Sequence, residues 1–146
     1  MVRLMAEMRS SSRRWAEPVK QRVSSGSPLE PVLGFSRAVR TGPQIMVAGT
    51  APIEPDGSTT PGDAAAQMER CCAIVAKAIA DLDGRIEDTV RTCIYLTDRA
   101  DFAGVALVHG KWFGTARPAT TTLIVSGFIR PEWRVEIEAE VMEFHQ

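Results

Sequence analysis

Membrane-length apolar runs are missing from this chain of 146 residues. No stretch approaches the roughly 18 to 20 apolar residues that a bilayer-crossing helix requires, so no membrane partner is expected. An excess of charge of either sign is missing too. Lys and Arg number 17 against 18 Asp and Glu, a formal net charge of −1. That leaves no strong basic field for nucleic acid and favours a small neutral or weakly charged partner. Cysteine is scarce, at three residues. Cys71, Cys72 and Cys93 are odd in number, two of them adjacent, with no metal-type spacing, which reads as reduced thiols in a cytoplasmic protein. Histidine is scarcer still, with His109 inside a helical pattern and His145 near the end. No grouping of His, Cys and Asp marks a metal site, and no glycine-rich phosphate loop is present. A lone histidine on an apolar helix face, without a nearby nucleophile or carboxylate signal, reads as a packed, hydrogen-bonded residue rather than a catalytic one.

What is present suits one domain. Apolar residues make up 45% and charged residues 24% of the chain, ordinary proportions for a globular unit with a single core. Composition sets the start apart: residues 1–21 carry Arg3, Arg9, Arg13, Arg14 and Lys20 against Glu7 and Glu17, with a serine run between them. This basic arm lacks the uninterrupted apolar segment of about 7 to 15 residues that a secretory signal needs. A transit peptide, a solvated tail and a partner-covering extension all fit it. Residues 22–146 form the domain proper.

Within that domain the pattern is regular. VLGFSRAV (residues 32–39), a Thr41-Gly42-Pro43-Gln44 turn and IMVAG (residues 45–49) predict a β-hairpin. After a second turn at Glu54-Pro55-Asp56-Gly57, Ala64, Met68, Cys72, Val75, Ile79 and Leu82 recur at helical steps, with Asp63 as cap and Gly84 as stop. TVRTCIYLT (residues 89–97) alternates with period two, as a strand does. Phe102, Val105, Ala106, His109 and Phe113 share one face of a second helix that Gly114 ends. Internal Gly104 and Gly110, each about 1 kcal/mol poorer than alanine in a helix, make that helix depend on packing. LIVSGF (residues 123–128) and WRVEIEAEVMEF (residues 133–144) predict the closing strands. The order β-β-α-β-α-β-β predicts an α+β fold, one mixed sheet with both helices on one face. The other face then lacks cover from its own chain. Its candidates are Arg91, Cys93, Tyr95, Thr97, Thr120, Thr122, Arg134, Glu136, Glu138 and Glu140, a lining that suits a subunit interface and predicts a symmetric homo-oligomer.

Six segments carry a resemblance: GFSRAV, VAGTAPI, GDAAAQMERC, VRTCIYLTDRADFAGV, WFGTARPATTT and RVEIEAEV. In this order and at these separations they resemble the RidA/YjgF family of enamine and imine deaminases, over about residues 22 to 144. The resemblance implies a chorismate-mutase-like α+β fold and a homotrimer whose sheets line a barrel-like core. It also implies three small-molecule clefts between neighbouring subunits, and hydrolysis of reactive 2-imino acids to 2-keto acids and ammonia with no metal and no bound cofactor.

The same resemblance places the site. Glu136 matches the acidic residue that positions the attacking water, and Glu138 a second family glutamate. Phe35 matches a tyrosine bordering the cleft, Gly49 the glycine of a serine-glycine pair, and Thr50 a common glutamine beside it. The stretch Pro118-Ala119-Thr120-Thr121-Thr122 resembles Pro-Ala-Arg-Ser-Cys, so Thr120 stands where the family has the arginine that grips a substrate carboxylate, and Thr122 where it has a cysteine. A threonine hydroxyl offers one neutral hydrogen bond where arginine offers a charged pair, a loss of roughly 1 to 2 kcal/mol. Arg37 and Arg117 are the two arginines near enough in sequence to be weighed as replacements. Two readings follow: a hydrolase of small imines that lack a clamped carboxylate, and a trimer that binds a ligand without chemistry. Nucleic-acid cleavage has only the basic arm in its favour.

Overall fold

The computed structural model describes residues 19–144. The basic arm as far as residue 18, and His145, lie outside the described residues. The elements are β1 (Lys20–Val23), α1 (Leu29–Leu33), β2 (Ala38–Thr41), β3 (Gln44–Thr50), α2 (Ala64–Asp81), β4 (Thr89–Leu96), α3 (Phe102–Phe113), β5 (Ala119–Ile124) and β6 (Val135–Met142). Single 3-10 turns at Ile86–Asp88 and Arg99–Asp101 lead into β4 and α3.

The strands form one mixed sheet in the order β1-β2-β3-β6-β4-β5. Every neighbouring pair is antiparallel except β4 with β5, which α3 connects as a parallel crossover. This is the α+β architecture expected, with the two long helices on one face. In β6 the alternation of the sequence becomes an alternation of burial: Val135, Ile137 and Val141 are fully buried, while Glu136, Glu138 and Glu140 lie half-buried on the other side. The buried set meets Met68, Cys71, Cys72, Val75 and Ile79 of α2 and Val105 and Phe113 of α3. Side chains of the Val, Ile and Phe class each contribute about 1.5 to 3 kcal/mol on such burial.

Helix α2 begins as its sequence requires, because the Asp63 side chain accepts a hydrogen bond from the Ala66 N–H at 2.9 Å. Its end differs from expectation. The left-handed residue is Asp83, at φ 58°, and Gly84 follows it with N–H bonded to Ile79 O. Gly84 is needed for space instead: a Cβ there would lie 2.4 Å from Ile45 Cδ1 and 2.9 Å from Ile79 Cγ2.

Three further expectations are corrected. The first half of VLGFSRAV is not strand: Leu29–Leu33 form a one-turn helix ended by Gly34 at φ 76°, and only Ala38–Thr41 pair in the hairpin. Lys20–Val23 then adds a strand outside that hairpin. The strand placed at residues 123–128 runs instead over Ala119–Ile124, so the three threonines are inside it. Threonine is β-branched and suits a strand sterically, and the parallel register with Arg91–Leu96 draws the pairing towards residue 119. Finally, Thr120 and Thr122 pair beside Thr92 and Ile94, on the helix-covered face, and leave Thr121 beside Cys93 on the bare one.

The three cysteines are free, Cys71 and Cys72 buried and Cys93 half-buried. Burial raises the Cys71 thiol well above its ordinary range and pushes Cys72 up to about 12, so neither is a nucleophile near neutral pH. Among the described residues no helix is long and apolar enough to cross a membrane, and no group of His, Cys, Asp and Glu is placed to hold a metal ion.

Candidate functional site

The acidic corner is built by an irregularity in β3. Between Val47 and Thr50 the register against β6 shifts, which turns the Ala48 and Gly49 carbonyls away from regular pairing. Arg37, just before β2, reaches across and donates from Nη2 to Ala48 O at 2.7 Å and Gly49 O at 2.8 Å. Thr50, wholly buried, donates its own hydroxyl to Ala48 O at 2.8 Å. Glu136 of β6 lies over this bend, since a Cβ on Gly49 would sit 3.4 Å from its Oε2. Arg37, Gly49, Thr50 and Glu136 are therefore gathered in one place, and Phe35, half-buried, stands two residues before Arg37.

The electrostatics of the corner are set by desolvation. Burial raises the Glu136 carboxyl above its ordinary range, Arg37 opposing and Glu138 adding to the shift. Burial also lowers the Arg37 guanidinium, against the pull of Glu30, Cys71 and Glu136. Arg37 Nε is a buried donor with no hydrogen-bond partner among the described residues. Because two of its bonds go to backbone carbonyls, Arg37 acts as a brace for the bend rather than as a free anion clamp. Glu138 differs from Glu136 in being committed: it accepts a 2.5 Å hydrogen bond from the Tyr95 hydroxyl, which pushes that phenol up to about 12.

Across the bare face, Arg91 lies beside Cys93 and Thr121, with its Nη2 3.4 Å from each side chain. Arg91 and Cys93, with Met46, Glu138 and Glu140, line a shallow depression of about 80 Å³. Arg134, expected on this face, is instead spent on Asp101, to which it donates from Nε at 3.1 Å and Nη2 at 2.7 Å. A larger hollow of about 520 Å³ lies between the Val23–Pro28 loop, the turn at Glu54–Gly57 and α2, with Arg37 of the acidic corner on its wall. Its cations are committed too: Arg70 to Ile53 O and Glu54, Lys77 to Asp81, Arg130 to Gly57 O.

Thr120, Thr122 and Arg117 do not join the acidic corner within one chain. β5 is separated from β6 by β4, roughly 10 Å across the sheet. Arg117 is exposed at φ 50°, its N–H closing α3 on Phe113 O at 2.8 Å. The Thr120 hydroxyl instead meets Thr92 Oγ1 at 2.8 Å, and Thr92 meets His109 Nε2 at 2.9 Å. His109 is thus hydrogen-bonded, and it stacks on Phe113 with centroids 4.7 Å apart. Sequence reasoning named neither Thr92 nor the Tyr95–Glu138 bond. The signal for Thr92 was there, since it is the one polar residue in the buried series Thr92, Ile94, Leu96. The Tyr95–Glu138 bond depends on a diagonal register that no single strand displays.

Comparison with known proteins gives the family and the fold. The family model described as endoribonuclease L-PSP matches residues 26–143. A protein of Streptomyces coelicolor is 38% identical over 120 residues, 82% of this chain and 90% of that one. A RutC family protein of Pyrococcus abyssi is 32% identical over 98 residues, 66% of this chain and 77% of that one. Among solved structures, a member of the YjgF/YER057c/UK114 family from Mycobacterium tuberculosis superposes with a TM-score of 0.77 at 39% identity, covering 86% of this chain and 100% of that one. The family match over most of the chain and the shared fold establish that the chain belongs to the YjgF/RidA family, the family of the endoribonuclease L-PSP model.

Proposed function

We propose that this protein hydrolyses a small reactive imine or enamine to a carbonyl compound and ammonia, in a cleft that a neighbouring copy of the chain completes. The observation that carries the reading is Glu136: half-buried over Gly49, raised in pKa, and accepting no hydrogen bond from any described side chain. Its neighbour Glu138 is spent on Tyr95. A carboxylate with a raised pKa is a better base at neutral pH than an ordinary one, and it has free lone pairs for a water. In the reaction the water oxygen bonds to the imine carbon as Glu136 takes one of its protons. The carbon–nitrogen double bond becomes single and its electron pair passes to nitrogen. Glu136 returns the proton to that nitrogen, giving a carbinolamine; its hydroxyl proton then passes to nitrogen through Glu136 as the carbon–nitrogen bond breaks, so ammonia leaves and the carbonyl forms. One imine and one water give one carbonyl and one ammonia, and no redox step is needed.

The reading requires neighbouring copies to assemble as a homotrimer, and two observations favour assembly. The bare face carries Met46 and Leu123, about 41% and 50% exposed, and the groups matched to the site fall at two separated places in one protomer. Three glutamates on that face disfavour a phosphate backbone, so a small molecule fits better than RNA. A second reading, a trimer that binds a small ligand without turning it over, is favoured by one observation. Thr120 stands where the resemblance puts an arginine, and Arg37, the cation at the acidic corner, is held by two carbonyls.

The test is ammonia release from imines generated in situ, those with a carboxylate by an amino-acid oxidase and those without by an amine oxidase. Glu136→Gln should lower the rate roughly 100-fold or more. An unchanged rate in that variant removes Glu136 from the chemistry. Ligand density in the cleft without ammonia release from any imine establishes the binding reading.

A further inference from the structure

Three hydroxyl- and imidazole-bearing side chains from three elements form one continuous hydrogen-bonded line. His109 Nε2 of α3 lies 2.9 Å from Thr92 Oγ1 of β4, which lies 2.8 Å from Thr120 Oγ1 of β5. The parallel register that seats Thr92 beside Thr120 creates the line. Its middle is sealed, Thr92 being 0% exposed, and its two ends are not. Thr120 is exposed. His109 Nδ1 carries no hydrogen bond to a described residue and is not among the buried unpaired atoms, so it is open on that side.

Each hydroxyl has one proton, so the line has two directions. In the inward direction Thr120 donates to Thr92 and Thr92 to an unprotonated Nε2, which leaves the Thr120 lone pairs facing out. In the outward direction Nε2–H donates to Thr92 and Thr92 to Thr120, whose proton then faces Pro118 O or a ligand. The Pro118 contact, at 3.1 Å, is long for a hydroxyl donor and competes weakly. A protonated His109 has a proton on Nε2 and permits only the outward direction. Burial lowers the His109 pKa from its ordinary value, so the ring is neutral at pH 7 and the inward direction is open. Desolvation alone shifts the ring, with no charged neighbour contributing; β4 offers it the Thr92 hydroxyl, α3 stacks Phe113 on it, and the charged pair between α2 and α3, Glu69 with Lys111, is satisfied internally.

We propose that Thr92 and His109 are positioning residues that set the polarity of the Thr120 hydroxyl, so that at neutral pH it accepts an N–H from a nitrogen-bearing ligand of the imine or iminium class. The proposal rests on the reading that Thr120 touches the ligand. It gives Thr120 a use that needs no positive charge: a guanidinium would repel an iminium, whereas an inward-donating hydroxyl receives its proton.

Two measurements test it. In long-range proton–nitrogen spectra of ¹⁵N-labelled protein, with His109 assigned through His109→Gln, Thr120→Val should change the tautomer ratio of His109, a ring it does not touch. Unchanged His109 signals in Thr120→Val overturn the relay, whatever the protein's activity. In the ammonia assay with oxidase-generated imines, Thr92→Val should lower kcat/KM about tenfold, the equivalent of one neutral hydrogen bond. Thr92→Ser should restore it to within about twofold, and the acid limb that His109 contributes to the pH profile should vanish in His109→Gln. A Thr92→Val rate equal to wild type, with Thr120→Val impaired, overturns the positioning role. No turnover by the wild-type protein would sink the hydrolase reading alone, because the spectra still decide the relay.

Discussion

Glu136 is held where its charge is disfavoured, and that has a sign that can be measured. Its folded-state pKa is raised by burial more than Arg37 lowers it. The stability it contributes is therefore complete below the unfolded carboxylate pKa, near 4.5, and is lost as pH rises through the folded value. Glu136→Gln, which cannot ionise, should accordingly melt at a higher temperature than wild type at pH 7, and the difference should close as pH falls below about 4.5. A lower Tm for the variant at pH 7 would mean that attraction to Arg37 outweighs desolvation. Much of this corner was legible residue by residue: the alternation of Val135, Glu136, Ile137 and Glu138 places the glutamates opposite the core, and the structure places Glu136 over Gly49. What could not be read was the fate of Arg37. Its bonds to the Ala48 and Gly49 carbonyls depend on the bend in β3, and nothing in a string of letters marks a register shift between two strands nearly ninety residues apart in the chain.

Among the elements, α2 was the plainest to read and β5 the hardest. The helix has an apolar face at regular steps and a capping aspartate. Asp63→Ala should therefore cost about 1 kcal/mol in chemical denaturation. Its end misled because glycine signals a left-handed residue, while here Asp83 takes that conformation and Gly84 serves packing. Gly84→Ala should destabilise by about 1 to 3 kcal/mol, as Ile45 and Ile79 are pushed from their places. A change under a few tenths of a kcal/mol would show that both side chains move aside freely. β5 misled for another reason. The apolar run LIVSGF looks like the strand, yet the paired residues begin at Ala119, and the exposed Leu123 and Ile124 lie at its end. Hydrophobicity marks buried strands well, and an edge strand rich in threonine poorly.

At the scale of the molecule, one sheet face is packed by helices and the other is open. If that open face assembles, Leu123→Glu should convert the oligomer to a single chain in light scattering, because a charge would be buried beside Tyr95 and near Glu136 and Glu138. An unchanged oligomeric mass would place the contact elsewhere. The sheet order has a separate bearing on biosynthesis. β6 lies between β3 and β4 and is, among the described strands, the one that joins the hairpin side to the crossover side. A nascent chain leaving the ribosome therefore holds two sheet fragments with no strand pairing between them, bridged by α2, until residues 135–142 have emerged, and the hairpin's free edge meanwhile stays open to wrong pairing. Stalled or truncated products should be caught by chaperones and proteases, and folding should complete in one step after synthesis passes this strand.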